Sequence, residues 1–359
     1  MKEKNIKTYK EAGVDTEKGK VALQRLLRWT VKTFNFRDKI GSVKLKEGYF
    51  ANVIKIGEKK GIAISTDGVG TKILIAQMME KYDTIGIDCV AMNVNDILCV
   101  GAEPVSMVDY IAVTEPNPEL LDQIGKGLYK GAKLAKINIP GGEIAQIKEI
   151  IKGKKEGYEF DLVGTAIGIV DLEHIIIGQD IKKGDVVVAL ASSGIHSNGL
   201  TLARKVLIES GKFKIDDYLP ELGKTLGEEL LEPTLIYAPA VVCMMRKGIN
   251  IKGLVHITGD GFLNLLRVSS PVSFLLDNLP PTPPIFSLIQ KIGGISDEEM
   301  FTVFNMGIGF CLIVSDKNAD EVQKIAKEHN LESWFIGKVC DEGKKEIIIS
   351  AKKIKLLPK

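Results

Sequence analysis

The sequence predicts a mixed α/β protein of the α+β type with two domains. Its 359 residues exceed the size at which a single hydrophobic core usually stops growing, so two cores are expected. Strands that end in a small, polar, glycine-rich loop and lead into a helix recur along the chain. Neither Gly-x-Gly-x-x-Gly nor a Walker A spacing follows the first such strand, which disfavours a dinucleotide-binding Rossmann domain and a P-loop.

The composition excludes several classes of protein. The 48 basic and 46 acidic residues nearly balance, so neither a nucleic-acid nor a membrane partner is implied. The start, Met1–Lys7, is too polar for a signal peptide, and no apolar run reaches the roughly 18 residues of a membrane span, so we expect a cytoplasmic protein. The five cysteines lack paired spacing and the four histidines lack helical pairing, so a bound metal is expected to be a hard cation with oxygen ligands.

Hydrophobic patterns predict eight elements in the first half. Helices are expected over 15–34, 83–100 and 118–135, and strands over 49–56, 61–64, 104–113, 137–139 and 160–171. In the first helix the apolar positions are Val21, Leu23, Leu26, Leu27 and Val31. The short strand over 137–139 is expected to stop at the glycine pair Gly141-Gly142, followed by Glu143. A polar connection over 173–184 then predicts the domain boundary, which divides the chain into 1–171 and 172–359.

The stretch over 61–72 carries the first candidate binding site. Its buried strand runs into the carboxylate of Asp67, which needs a positive partner. The two glycines that follow allow backbone N–H groups to approach a ligand closely. Residues of this kind suit a magnesium-bound polyphosphate, and the candidates are Asp67, Gly68, Gly70, Thr71 and Lys72. A tight turn followed by a surface lysine is the alternative that this stretch alone leaves open.

The helix over 83–100 is apolar almost all round, which predicts that it is buried. Four polar residues on it need partners: Asp88, Asn93, Asn95 and Asp96. In one interpretation they cap neighbouring loops. In the other they form a second set of oxygen ligands that faces Asp67.

The second half repeats the arrangement of strand, small polar loop and helix. A strand over 185–191 ends in the loop 192–199, and a helix over 200–210 follows, which makes a natural anion site. His196 lies in this loop between small polar residues, where a catalytic and a purely structural role both fit. Further elements are expected as helices over 234–247 and from Phe262, strands over 253–257 and 310–314, and a tail of alternating helix and strand from Lys317.

The loops occur in an order that resembles a known family. The motifs are Ser65-Thr-Asp-Gly-Val-Gly-Thr-Lys72, Asn93-Val-Asn-Asp-Ile97, Gly101-Ala-Glu-Pro104, Gly141-Gly-Glu143, Ser192-Ser-Gly-Ile-His-Ser-Asn-Gly199, His256-Ile-Thr-Gly259 and Phe304-Asn-Met-Gly-Ile-Gly309. Over nearly its whole length the chain resembles the phosphoribosylformylglycinamidine cyclo-ligases, also called aminoimidazole ribonucleotide synthetases.

The resemblance implies an N-terminal half with helices that binds ATP and Mg²⁺ and dimerises through a β-barrel, followed by a C-terminal α/β half. It implies a homodimer that acts on a small-molecule nucleotide. The implied reaction is the ATP-dependent closure of formylglycinamidine ribonucleotide to 5-aminoimidazole ribonucleotide in purine biosynthesis. ATP phosphorylates the formyl amide oxygen, an amidine nitrogen attacks that carbon, and phosphate leaves. Such a transfer depends on charge neutralisation more than on covalent help from the protein.

The resemblance also implies roles for individual residues. Those expected to bind metal are Asp67, Asp96 and Asp88, and those expected to act in catalysis are His196, Asp67 and Lys72. Those expected to bind the nucleotide are Gly68, Gly70, Thr71, Asn95, Gly141, Gly142, Glu143 and Asn198. The number of metal ions, and whether His196 moves a proton or donates a hydrogen bond, stay open.

Three departures from the family pattern bear on these roles. Ile144-Ala-Gln-Ile-Lys148 replaces the usual Thr-Ala-Glu-Met-Pro, Asp260 stands where glycine is common, and Gly48-Tyr-Phe50 replaces a double glycine. Two alternatives follow: another ATP-using enzyme of the superfamily, such as a thiamine-phosphate kinase or a hydrogenase-maturation factor, or a non-catalytic homologue. The C-terminus at Lys359 lacks the cysteine that the maturation factor needs.

Overall fold

The computed structural model describes residues 6–358, so most of the polar start that was predicted not to be a signal peptide lies outside it. Within this range the helices are α1 Thr16–Thr30, α2 Lys72–Met79, α3 Ile85–Leu98, α4 Pro118–Ala135, α5 Leu200–Arg204, α6 Leu226–Leu230, α7 Ala238–Arg246, α8 Pro284–Gly293, α9 Asp297–Val303 and α10 Ala319–Glu328. The strands are β1 Asn52–Lys55, β2 Lys60–Gly68, β3 Glu103–Val113, β4 Gly142–Gln146, β5 Phe160–Asp171, β6 Val186–Ala191, β7 Tyr218–Leu219, β8 Lys224–Thr225, β9 Ile251–His256, β10 Val272–Leu276, β11 Ile308–Val314, β12 Ser333–Glu342, β13 Glu346–Ile349 and β14 Ile354–Leu356.

The first half is built on a five-stranded sheet in the order β1-β2-β5-β3-β4. All its pairs are antiparallel except β3 with β4. Residues alternate between a buried and a more exposed face along β5, because α3 packs on one face of the sheet only. Across residues 6–358 this sheet is open, with β1 and β4 at its edges, so the expected barrel is not closed within one chain.

The second half is built on a seven-stranded sheet in the order β14-β13-β10-β12-β6-β11-β9. Every residue of β9 and β11 is buried, as expected for strands covered on both faces. The larger group of buried apolar side chains contains residues of both halves, so the core continues across the predicted domain boundary.

The predicted bounds of α4 and β5 agree with the structure, whereas those of the first helix differ. Helix α1 ends at Thr30 and is followed by a 3-10 helix over Val31–Phe36. None of the residues of α1 is buried within the single chain, and Val21, Leu23 and Leu26 are exposed. The prediction of a helix over 15–34 was therefore right about the helix, which ends at Thr30 rather than at residue 34.

Three further boundaries differ from the predictions. No strand forms over 137–139, where only a bridge between Ser106 and Asn138 occurs, and the glycine pair instead begins the edge strand β4. The helix predicted over 234–247 begins at Ala238, because the residues before it bond to side chains of α3. Helix α2 was not predicted, since it is only eight residues long and its hydrophobic pattern is short.

Among residues 6–358, no helix is both long enough and apolar enough to cross a membrane.

We expect the loss of one partner from the buried ion pair of the second sheet to destabilise the fold strongly. Lys252 Nζ lies 2.7 and 2.8 Å from the two carboxylate oxygens of Asp185, and both side chains are buried. Asp185→Ala leaves an unpaired buried cation, which should lower the free energy of unfolding by about 3–5 kcal/mol. Urea denaturation measures this change. The exposed pair of Asp171 with Lys60 provides the control: Asp171→Ala should leave the midpoint nearly unchanged, and equal losses in both variants would contradict the prediction.

Candidate active site

Asp67 lies near the end of β2 and is held there by α3. The side chain of Asn93 accepts a hydrogen bond from the Asp67 N–H at 2.9 Å and donates one to the Asp67 carbonyl at 3.1 Å. The N–H of Gly68 donates to the Asp67 carboxylate at 2.8 Å. One buried amide of the helix thus fixes the backbone that presents the carboxylate.

Asp96 is the second carboxylate of the site. Burial, and then the nearby charge of Asp96, raises the pKa of Asp67 to about 6. Asp96 Oδ1 lies 2.9 Å from Nδ1 of His256, a fully buried histidine at the end of β9. Asp96, in the first half, is therefore oriented by His256, in the second half.

The loop after Asp67 runs directly into helix α2. Gly70 has φ +69°, a conformation that glycine adopts without strain, and Thr71 is the N-cap residue of α2. The Thr71 hydroxyl lies 2.9 Å from that of Thr201 on α5. The N–H groups at the start of α2 are therefore close in sequence to Asp67, on a loop that contacts the second half.

Lys72 and Asp88, which were predicted to contact phosphate and metal, form a buried ion pair with each other. Lys72 Nζ lies 2.8 Å from Asp88 Oδ1, and both side chains are fully buried. Lys72 also donates to the carbonyl of Glu232, while Asp88 accepts hydrogen bonds from the N–H of Thr234 at 2.8 Å, its hydroxyl at 2.6 Å and the Ser197 hydroxyl at 3.3 Å. The second Asp88 oxygen has no hydrogen-bond partner within residues 6–358.

Asn95 likewise bonds to the second half rather than opening toward a nucleotide. Its amide group donates to the carbonyl of Leu235 at 2.8 Å and accepts from the N–H of Tyr237 at 3.1 Å. Both interpretations of the polar residues on α3 therefore apply in part, because Asp88, Asn93 and Asn95 satisfy backbone groups whereas Asp96 lies beside Asp67.

The Gly141–Glu143 motif lies on the exposed edge strand β4. Pairing across the sheet places Asp67, Gly164, Asp109 and Gly142 in one row. A Cβ atom on Gly142 would lie 2.6 Å from the Asp109 carboxylate, which explains the glycine there. Two strands, β5 and β3, separate this motif from Asp67 within one chain.

His196 is buried in the loop before α5 with φ +66°, a strained conformation for a residue other than glycine. Its Nε2 accepts hydrogen bonds from the N–H groups of Ser193 at 3.2 Å and Leu235 at 3.5 Å. Burial, with the charges of His256 and Lys72, holds the pKa of His196 well below its usual range. The neutral ring therefore carries its proton on Nδ1, which has no partner among the described residues.

Asn198 lies near Asp260, the residue that stands where the family commonly has glycine. The Asn198 amide oxygen adjoins Gly259, and Asp260 follows with its carboxylate 3.9 Å from Lys20 Nζ. The extra charge of Asp260 is therefore near a surface cation of α1.

A cavity of about 250 Å³ opens beside Asp96. It is lined by Lys46, Gly48, Tyr49, Phe50, Ala51, Asn52, Ile64, Ser65, Thr66 and Asp96. This lining combines a cation, a carboxylate and hydroxyl groups, which are groups that bind a metal-associated phosphate.

Two residues near this cavity, His256 and Arg267, have roles that were not predicted from the sequence. His256 was recognised only as part of a motif, and its Nε2 is buried without a partner among residues 6–358. Arg267 gave no signal, since a single arginine at the end of an apolar segment is unremarkable in a sequence.

No group of three or more His, Cys, Asp or Glu side chains within residues 6–358 is arranged to enclose a metal ion. The neighbouring carboxylates of Asp67 and Asp96 nevertheless fit Mg²⁺, which usually takes one or two protein carboxylates and completes its shell with phosphate oxygens and water.

Comparison with known proteins identifies relatives of both halves. Residues 48–170 match the N-terminal domain and residues 182–350 the C-terminal domain of the AIR synthase related proteins. Phosphoribosylformylglycinamidine cyclo-ligase of Methanocaldococcus jannaschii is 49% identical over 93% of this chain and 92% of its own. The same enzyme of Methanobrevibacter smithii is 47% identical over 94% and 96%.

The fold is also similar to a more distant solved structure. Thiamine-monophosphate kinase from Stenotrophomonas maltophilia superposes with a TM-score of 0.61 at 17% identity, covering 91% of this chain and 96% of that chain. At this identity the likeness concerns the fold alone.

We expect the Lys72–Asp88 pair to stabilise the folded protein even without ligands. Lys72→Met leaves the Asp88 carboxylate buried and unpaired, so the free energy of unfolding should fall by about 3–5 kcal/mol. Adding Asp88→Asn removes the charge while keeping an acceptor for Thr234, and should restore most of the loss. Urea unfolding of both variants, with Thr71→Ser as the control, measures this. Unchanged stability in Lys72→Met would show that the pair is not structural.

Proposed function

The chain belongs to the phosphoribosylformylglycinamidine cyclo-ligase family, and we propose that it closes the imidazole ring of 5-aminoimidazole ribonucleotide with ATP. The substrate is formylglycinamidine ribonucleotide, and the reaction is a step of purine biosynthesis. The observation that carries the assignment to this site is the pair of neighbouring carboxylates: Asp67 near the end of a strand that leads into a glycine loop, and Asp96 on helix α3. A non-catalytic homologue would have no need to keep two acidic groups so close.

Asp67 and Asp96 are the proposed ligands of Mg²⁺. Burial, and then the nearby charge of Asp96, raises the pKa of Asp67, and a divalent cation bound between the two carboxylates would favour their charged forms. The loop over 68–71 and the start of α2 supply N–H groups for phosphate oxygens. When bound, Mg²⁺ neutralises charge on the phosphates of ATP.

The remaining predicted site residues fall into two groups. Lys72, Asp88 and Asn95 hold the two halves together, so we propose positioning roles for them. The prediction that Gly141–Glu143 contacts nucleotide stays a prediction, as does that for Asn198.

His196 is proposed to act as a hydrogen-bond donor. In the reaction the γ-phosphoryl group moves to the formyl amide oxygen, an amidine nitrogen forms the C–N bond, and the C–O bond breaks with release of phosphate. Since Nε2 already accepts from backbone N–H groups, Nδ1–H is the atom available to donate to substrate. Its lowered pKa makes the ring a poor proton acceptor at neutral pH.

We propose a homodimer formed through the outer face of the five-stranded sheet. This face carries apolar side chains that are more than a third exposed in the single chain: Ile64 at 36%, Val108 at 44%, Tyr110 at 41% and Ile169 at 43%. A contiguous apolar face of this kind marks an interaction surface. A second copy that packs the same face would complete the expected barrel from two open sheets.

The division into domains at residues 171 and 172 is supported by the strands. Those of the first sheet end at Asp171, and those of the second begin at Val186.

Asp67→Asn tests the assignment of function. The wild type, given formylglycinamidine ribonucleotide, ATP and Mg²⁺, should form aminoimidazole ribonucleotide together with ADP and phosphate. The variant keeps the side-chain acceptor for Gly68 N–H, so it should fold normally, but turnover should fall by about 100-fold or more because a charge at the metal is lost. A coupled assay measures the release of ADP, and chromatography measures the formation of aminoimidazole ribonucleotide.

Asp161→Asn is the matched control for this experiment. Its carboxylate accepts a hydrogen bond from the next residue, Leu162, as that of Asp67 does from Gly68, but it lies outside the proposed metal ligands. It should retain activity. Normal turnover by Asp67→Asn, or the absence of product from the wild type, would refute the proposal.

Charge on the outer face of the sheet tests the dimer. Val108→Lys combined with Ile169→Lys places two cations on the proposed interface, so the protein should elute as a monomer. Light scattering after gel filtration measures the mass, and Ile150→Lys, an exposed apolar position outside the sheet, is the control. A wild type that is already monomeric, or a double variant that still dimerises, would contradict the proposal.

A further inference from the structure

Arg267 joins the second half to the segment Gly48–Phe50 of the first half. It ends the 3-10 helix over Gly261–Arg267 and is partly buried. Its Nε donates to the carbonyl of Gly48 at 3.0 Å and its Nη2 to that of Tyr49 at 3.3 Å. Its guanidinium carbon lies 4.1 Å from the centre of the Phe50 ring. One side chain thus contacts three consecutive residues.

The segment that Arg267 holds has no regular secondary structure of its own. It precedes β1, and its hydrogen bonds to the rest of the first half include one from the Ser65 hydroxyl to the Phe50 carbonyl at 3.5 Å. A segment of this kind loses conformational freedom when it is ordered, so a fixed partner is needed to keep one conformation.

The same segment forms a wall of the cavity beside Asp96. Gly48, Tyr49 and Phe50 line it together with Asp96 and Lys46. The position of the segment therefore sets the width of the space next to a proposed metal ligand.

We propose that Arg267 is a positioning residue that holds Gly48–Phe50 in place as a wall of the nucleotide cavity. This inference rests on the proposed function for the identity of the ligand, the phosphate end of ATP. It does not require Arg267 to touch ATP, because its donors are already directed to the carbonyl groups of the segment. The cavity is then formed before the ligand arrives, and the ordering of the segment does not reduce the binding affinity.

The chemistry of the contact requires arginine rather than any cation. The planar guanidinium group donates to two carbonyl groups while its face covers an aromatic ring. A lysine ammonium group donates to the carbonyl groups one at a time and cannot stack in this way. Arg267→Lys therefore keeps the positive charge but removes the planar group that bonds to both carbonyl groups and stacks on the Phe50 ring.

Arg267→Lys and Arg267→Met should raise the KM for ATP by about tenfold while kcat stays within about twofold of the wild type, since binding rather than chemistry is affected. Phe50→Leu should give a similar rise, and combining it with Arg267→Lys should give less than the product of the two effects, because both disrupt one contact. Arg246→Lys, whose exposed guanidinium group pairs with Glu103 at 2.6 Å, is the matched control and should leave KM unchanged.

Hydrogen–deuterium exchange without ligand provides the second readout. Amides over 48–52 should exchange faster in Arg267→Lys than in the wild type, and those of β5 should not change. Unchanged exchange of this segment would overturn the inference, and so would a fall in kcat without a change in KM, which would place Arg267 at the reacting groups. If the wild type forms no aminoimidazole ribonucleotide, the proposed function fails, whereas the exchange experiment still decides whether Arg267 holds the segment.

Discussion

The arrangement of the site depends on a charge that has no access to water. Asp88 is fully buried on α3, and a buried carboxylate is tolerated only when cations and donors surround it. Its partners come from both halves: Lys72 follows the glycine loop, while Ser197 and Thr234 belong to the second half. Satisfying this one carboxylate therefore fixes the end of the glycine loop relative to the loop that carries His196.

The other polar residues of helix α3 also bind groups from different parts of the chain. Asn93 binds the backbone of Asp67, Asn95 binds the segment before α7, and Asp96 meets His256. Each side chain faces a different neighbour because successive residues of a helix are rotated by about 100°. A single buried helix consequently sets the position of the proposed metal carboxylates and of the second half at once.

The sequence was sufficient to predict that α3 is buried and that its polar residues are unusual, but not which group each one would meet. Thr234 lies 146 residues from Asp88, and His256 lies 160 residues from Asp96. Periodicity contains information on a helix and its faces and none on partners so distant in the chain. The same limit applies to α1, whose apolar positions fit a helix but do not show whether the same chain covers them. Where the pattern alone decides, as along the alternating strand β5, the prediction agreed with the structure.

The carboxylates of the proposed metal site lie in the first half, and several of the contacts that hold the site in place come from the second half. His256 orients Asp96, Thr201 contacts Thr71, and Arg267 holds the cavity wall. Because these contacts exist only when the halves are docked, a nucleotide that binds at the carboxylates favours the docked arrangement, and docking in turn favours the nucleotide. The continuous hydrophobic core across the boundary makes docking the resting state of the molecule, so little of the binding free energy is needed to assemble the site.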